Sequence, residues 1–235
     1  IRYYTAATFP ESADSDFNWD GFLNRVNSEL LAAWGNLANR MLSFSFKRFE
    51  SRVPTINLDD LTAEDRAILE RSEAAFDSIG QLLEAVKLKE ALTQAMTLVR
   101  DSNAYLDRRA PWKTIKETPA DAALAVYTVL RVIDNLKVIL SPFLPFTSQK
   151  VHEFLGYDGQ LFGEQKIVEY QESTRPHKGL IYDASAAIGR WEKSSLQPGQ
   201  ALREPAPLIV KLDPEIVDKE RAFLGAPRDE RPIII

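Results

Sequence analysis

The sequence predicts an all-α fold: an antiparallel bundle of four or five helices followed by an irregular C-terminal extension. Three observations carry that expectation. Apolar residues recur at three-, four- and seven-residue steps through much of the stretch before Gly156. Helix start and stop signals cut that stretch into segments of helical length. Beyond Gly156 the share of Gly, Pro and polar residues rises and the periodicity fades. The expected organisation is a lead-in over 1–16, a bundle over 17–155 and a wrapping tail over 156–235.

In the lead-in, Arg2-Tyr3-Tyr4-Thr5 reads as strand-like and extended, and Pro10 with the Ser and Asp residues after it breaks any periodicity. From about Asn18 to Ser51, Phe22, Val26, Leu30, Leu37, Met41 and Phe44 fall on one helical stripe, a rod of roughly 50 Å at 1.5 Å per residue. Gly35 inside it suggests a close approach by another backbone or a ligand, or a tight helix crossing. Val53-Pro54 is the expected stop. Thr62 followed by Asp65 is an N-cap signature, opening a polar helix to about Glu84. Leu88, Leu92, Ala95, Val99 and Leu106 form the next stripe, which stops at Pro111. Thr118-Pro119-Ala120-Asp121 supplies a cap residue, a first-turn proline and an acid, and the helix it starts carries Val126, Leu130, Ile133 and Leu140. Pro145 opens a shorter helix through Leu155. In the tail, Leu208-Ile209-Val210 reads as an isolated strand and Pro214 to Leu224 as a helix.

Composition narrows function. The 235 residues are 45% hydrophobic and 27% charged, the proportions of a globular chain, with a net charge of −5. The absence of cysteine excludes disulfides, thiolate metal sites and cysteine nucleophiles. The two histidines, His152 and His177, lack metal-ligand spacing; the first is expected to be structural and the second to lie in a loop without a partner. No stretch has membrane-spanning length and none reads as a signal peptide. Gly156-Tyr157-Asp158-Gly159 is a turn rather than a phosphate-binding loop. Asp59, Asp60, Glu64 and Asp65 are helix-start charges before they are acid–base partners. No active site emerges.

Two stretches run against the acidic average. Arg108-Arg109-Ala110-Pro111-Trp112-Lys113-Thr114-Ile115-Lys116 has four basic residues, no acid and a tryptophan at a helix end. On the first helix Asn36, Arg40 and Lys47 share one face. Cations beside a presented aromatic suit single-stranded nucleic acid, the cations meeting phosphates and the ring stacking on a base. The same residues also suit a ring plugging a helix junction, a solvated helix face, and an asparagine satisfying nearby backbone. Pattern alone leaves both readings open.

Several phrases, in order, resemble methionyl-tRNA synthetase beyond its catalytic domain. They are Arg2-Tyr3-Tyr4 with Pro10-Glu11, Asp14, Asp16-Phe17, Phe22, Arg25, Asn27 and Leu30; Gly35-Asn36-Leu37-Ala38-Asn39-Arg40; and Asn103-Ala104-Tyr105 with Ala110 to Lys116. Pro142-Phe143-Leu144-Pro145-Phe146, Trp191, Pro198-Gly199-Gln200 and Pro205-Ala206-Pro207-Leu208 complete the set. The resemblance implies a class I synthetase anticodon-binding bundle. It implies that Trp112 stacks on the wobble cytosine of a CAU anticodon, that Pro111 fixes the turn presenting the ring, and that Asn36 and Arg40 read base edges or hold the loop. Lys47, Lys113 and Lys116 are added from charge and spacing as phosphate contacts.

The family's His-x-Gly-His and Lys-Met-Ser-Lys-Ser motifs and its zinc-binding insertion are absent from this sequence. The chain, which does not open with Met, is therefore expected to be a piece that by itself binds no cofactor and no metal, ATP and methionine belonging to the parent enzyme. Its expected partners are the anticodon loop of tRNA(Met) and the catalytic domain of the same protein, without a membrane. It is expected to be a cytoplasmic monomer, lacking the extra C-terminal dimerising domain of some members. Without its catalytic neighbour the tail is expected to expose Leu161, Phe162 and Ile181. The alternatives are the bundle of another class I synthetase (cysteine, valine or leucine) and a helical protein-interaction scaffold with Trp112 as packing.

Overall fold

A computed structural model of the chain describes residues 1–11 and 14–222. The helical bundle is present, and its strongest start signals act as the sequence implies. Thr62 and Asp65 form a reciprocal capping box at the head of α4 (Ala63–Glu84), which runs antiparallel into α5 (Leu88–Arg109). The earlier elements are α1 (Arg2–Ala7), α2 (Trp19–Arg25) and α3 (Asn36–Arg48); the later ones are the single turn α6 (Pro111–Thr114), α7 (Pro119–Ile139) and α8 (Pro145–Phe154). The expected stripes are buried: Leu37, Met41, Ala95, Val99, Leu106, Val126, Leu130, Ile133 and Leu140 are at most 1% exposed.

Several expectations are corrected. Residues 2–5 form the first turns of α1 rather than a strand, because Tyr3, Ala6 and Ala7 turn inward to the core while the Tyr3 hydroxyl donates to Glu29 at 2.6 Å. The first rod is not uniform: Val26–Gly35 between α2 and α3 is a π-helix, its turn widened to i→i+5 bonding. That widening places Trp34, which no predicted stripe contained, at 1% exposure in the core. The rod stops at Arg48, before Val53-Pro54, where Glu50 and Ser51 take left-handed backbone. Thr118 makes no side-chain cap; Asp121 accepts instead from Arg109 Nη2 at 2.7 Å.

The tail differs most. Leu208-Ile209-Val210 is not a strand. The strands are β1 (Glu164–Tyr170) and β2 (His177–Asp183), a two-stranded antiparallel hairpin pairing Ile167 with Leu180 and Tyr170 with His177. His177 is thus a strand residue with partners, stacked on Tyr170 at 5.3 Å and 3.5 Å from Glu172. Ile181 is exposed as expected, while Leu161 and Phe162 are half-buried and Ile167, Leu180 and Tyr182 are more exposed than Ile181. The expected final helix is α9 (Glu215–Ala222); its expected end at Leu224 lies outside the described residues.

Beyond the hairpin the chain returns along the bundle. Gly199 N–H donates to the Val53 carbonyl, Val53 N–H to Gln200, and Leu202 N–H to Ser51, at 2.8–3.0 Å. Gly156 adopts φ +87° after α8, and a Cβ there would collide with the Ala201 carbonyl, so glycine is required at this crossing. Trp191 packs edge-on against Phe76 and donates Nε1–H to the Phe76 carbonyl at 3.1 Å.

A buried polar cluster binds tail to bundle. Lys137 Nζ lies 2.5 Å from Asp134 Oδ1, 3.3 Å from His152 Nδ1 and 4.3 Å from the centroid of the Tyr157 ring. Tyr157 and Ser194 hydroxyls donate to Asp134 Oδ2 at 2.9 and 2.6 Å. An ammonium only donates, so His152 Nδ1 accepts and Nε2–H donates to the Asp158 carbonyl at 3.0 Å. Burial holds the His152 imidazole below its ordinary value of about 6.5, and Lys137 adds to that shift. In the unfolded chain His152 takes a proton as pH falls below about 6.5, whereas the folded imidazole resists it. Stability should therefore be full above that pH and decline below it, by at most about 1.4 kcal/mol per pH unit for this proton. Urea titrations at pH 7.5 and 5.5 check this: His152→Gln should have a smaller pH dependence than the parent, and equal dependence would remove His152 from the account.

Candidate nucleic-acid interface

The residues singled out by charge and aromaticity lie on two elements, and packing decides which of them meet. Asn36 and Arg40 are one turn apart on α3, so they share a face. The π segment before them ends at Gly35, where a Cβ would stand 3.1 Å from the Leu30 carbonyl and 3.6 Å from the Ile209 side chain. The tight approach at Gly35 is thus to the Leu30 carbonyl of its own segment, while the Ile209 side chain of the tail lies against it at ordinary van der Waals distance. Asn103 on α5 steadies the end of this segment, its Nδ2 donating to the Ala33 carbonyl at 3.3 Å and to Val99 at 3.0 Å.

The second element is the corner between α5 and α6. Ala110 turns the chain with φ 39° and ψ 59°, a left-handed conformation that costs a non-glycine residue roughly 1–2 kcal/mol. Pro111 follows at the first helical position, where its missing N–H costs nothing, and it is buried. The corner is held from behind: Arg109 lies 2.7 Å from Asp121 and 3.7 Å from Asp65, and Asp65 also accepts from the Tyr105 hydroxyl at 2.5 Å. Burial opposes the Arg109 charge, but the surrounding acids more than offset it and hold the guanidinium protonated.

Trp112 emerges from this corner half-buried, one part packed on the core and the rest open. The Arg40 guanidinium carbon lies 4.5 Å from its ring centroid, a cation–π contact joining the two elements. Asn36 is exposed one turn away on the same face. Lys113 and Lys116 are exposed beside Trp112, whereas Arg108 and Arg109 of the same stretch are engaged with acids. Lys47 is exposed but lies seven residues beyond Arg40, about 10 Å farther along α3, and is not part of the Arg40–Trp112 pairing.

Sequence reasoning assigned no site role to Asn39 or to Pro207–Ile209. Together with Asn36 and Gly35 they border an open cleft of about 330 Å³. Spacing marked Asn39 as a near neighbour of Asn36, but nothing local joins the tail to this face. Among the described residues no cluster of acidic and histidine side chains could hold a metal ion, and no helix is long and apolar enough to cross a membrane.

Comparison with known proteins supplies an independent reading. Residues 56–175 match a family model described as the anticodon binding domain of methionyl tRNA ligase, and residues 1–42 match one described as tRNA synthetases class I (M). Asn36 and Arg40 fall in the second match and Trp112 in the first. The methionine–tRNA ligase of Thermomicrobium roseum is 44% identical over 228 residues, covering 96% of this chain and 38% of that protein. That of Chloroflexus aurantiacus is 43% identical over 223 residues, covering 94% and 37%. The crystal structure of apo Mycobacterium tuberculosis methionyl-tRNA synthetase superposes with a TM-score of 0.72 at 22% identity, covering 91% of this chain and 38% of that one, a likeness of fold. The chain spans less than two fifths of the length of these relatives. With a helical bundle of the same fold and a family match across more than half its residues, the chain belongs to the methionyl-tRNA ligase family, within its anticodon-binding part.

Proposed function

We propose that this chain reads the CAU anticodon loop of a methionine tRNA, with Trp112 stacking on the wobble cytosine. The observation that carries the reading is the Arg40 guanidinium over a half-open Trp112 ring at 4.5 Å. A ring braced by a cation and still partly open is a stacking platform for a base already splayed out of a loop, which is where sequence-specific RNA recognition concentrates. Arg40 has five N–H donors and Asn36 both a donor and an acceptor, so both suit base edges. Pro111 and the left-handed Ala110 set the angle of the ring. Lys113 and Lys116 meet the loop phosphates; Lys47 serves farther along the strand.

In the same reading the chain works as part of a longer methionine–tRNA ligase, in the cytoplasm and as a monomer. The catalytic domain of that protein handles ATP and methionine, and this part supplies recognition. The Arg40–Trp112 pair favours a methionine-specific reader over the bundles for cysteine, valine or leucine, because another anticodon requires another set of edges.

Trp112→Ala should weaken binding of a CAU stem-loop by about 1–3 kcal/mol while the helical fold, read by circular dichroism, is kept. Fluorescence titration at one fixed salt concentration reads it, and equal affinities would favour the packing role. Arg40→Ala should narrow the gap between CAU and single-base variants of the loop; a uniform loss across variants would make Arg40 a phosphate contact. Replacing Lys113 and Lys116 together should reduce the salt dependence of binding, the slope of log K against log[salt] falling by about 0.7 for each phosphate no longer neutralised. An unchanged slope would remove both lysines from the interface.

A further inference from the structure

The cleft beside Asn36 is built by two distant parts of the chain, and its construction is specific. Asn27 on the π segment pairs with the backbone of Leu212 in both directions: its Nδ2 donates to the carbonyl at 3.0 Å and the Leu212 N–H donates to its Oδ1 at 2.9 Å. Upstream, the Arg203 N–H donates to the Phe154 carbonyl at 3.0 Å. The tail between these anchors is held along the rod, with Ile209 seated on Gly35 and Pro207 and Leu208 forming a wall opposite Asn36 and Asn39. The lining carries two carboxamides and apolar groups, and no charged side chain.

That chemistry selects a ligand class. A phosphate would find no cation in the cleft, whereas a nucleobase needs an apolar surface for its face and paired donors and acceptors for its edge. The volume of about 330 Å³ falls at the small end of ligand clefts. Asn36 lines the cleft, and four residues, about 6 Å of helix rise, separate it from Arg40, the residue bracing Trp112. We propose that the cleft is a second base site, taking a base from the nucleotide neighbouring the one on Trp112, its face against Pro207 and Leu208 and its edge toward Asn39 and Asn36. The tail is thereby a wall of the RNA-reading surface. This rests on the anticodon reading and extends it to residues outside the Asn36, Arg40 and Trp112 set.

The test couples protein variants to RNA lacking single bases. Stem-loops abasic at each anticodon position in turn are titrated against the 235-residue parent, Trp112→Ala, Leu208→Ala and Asn39→Ala at one salt concentration. Leu208→Ala and Asn39→Ala should each weaken binding of the intact loop by about fivefold or more. Both should lose nothing further on a loop abasic at one shared position, and that position should neighbour the one at which Trp112→Ala is silent. Asn39→Ala keeps the helix and the tail, so it guards against a tail variant that merely loosens the fold. Equal losses on every loop, or none on any, would overturn the second site alone, provided Trp112→Ala still shows its own position. A parent indifferent to every abasic substitution would overturn the anticodon reading as well.

Discussion

Helix α7 is buried on nearly every side, and the positions of the other elements follow from what surrounds it. Its side chains from Ala122 to Ile139 are almost all enclosed, and it packs against α3, α4, α5, α6 and α8. Such a helix is apolar over most of its surface, and most of its buried polar groups have a dedicated partner, Thr128 Oγ1 being one that has none. Here the partnered groups do the joining: Asn135 donates to Ser72 of α4 at 2.9 Å and accepts from the Ser194 backbone at 2.7 Å, and Asp134 and Lys137 gather Tyr157, His152 and Ser194. Because α3 and the α5–α6 corner both pack against α7, the guanidinium of one can rest over the indole of the other.

The interface gains its character by contrast with its surroundings. A chain of net charge −5 repels a polyanion in general, so the proposed contact with RNA rests on a local patch. Two of the four basic side chains of the Arg108–Lys116 stretch are paired with acids: Arg108 with Glu64 at the surface, and Arg109 with Asp65 and Asp121, where it holds the corner together. The lysines farther along remain open to solvent. One short basic run thus divides into a structural half and an exposed half, a division set by which acids lie behind it.

Helices with strong local signals were legible. The Thr62–Asp65 box, the stop of α5 before Pro111, the Pro119 and Pro145 starts and the apolar stripes of α5 and α7 all act through neighbours within one or two turns. The β1–β2 hairpin was not legible because its strands are exposed on both faces, so neither carries the alternation that betrays a half-buried strand. Leu208-Ile209-Val210 has the composition of a strand but finds no partner strand; Ile209 packs on a helical glycine instead. The π segment escaped notice because a four-residue apolar step at Val26, Leu30 and Trp34 fits an α-helix nearly as well.

By itself the sequence determined the helical class, the succession of long helices and the residues that stand out against an acidic background, because periodicity, capping chemistry and charge are local properties written in neighbouring positions. Tertiary structure alone decided that Arg40 covers Trp112, far away along the chain, that Lys47 stands apart from them, and that the tail walls a cleft beside Asn36. Those outcomes depend on which faces α7 brings together and on where glycine lets two chain segments touch. Neither is encoded in any single stretch of residues.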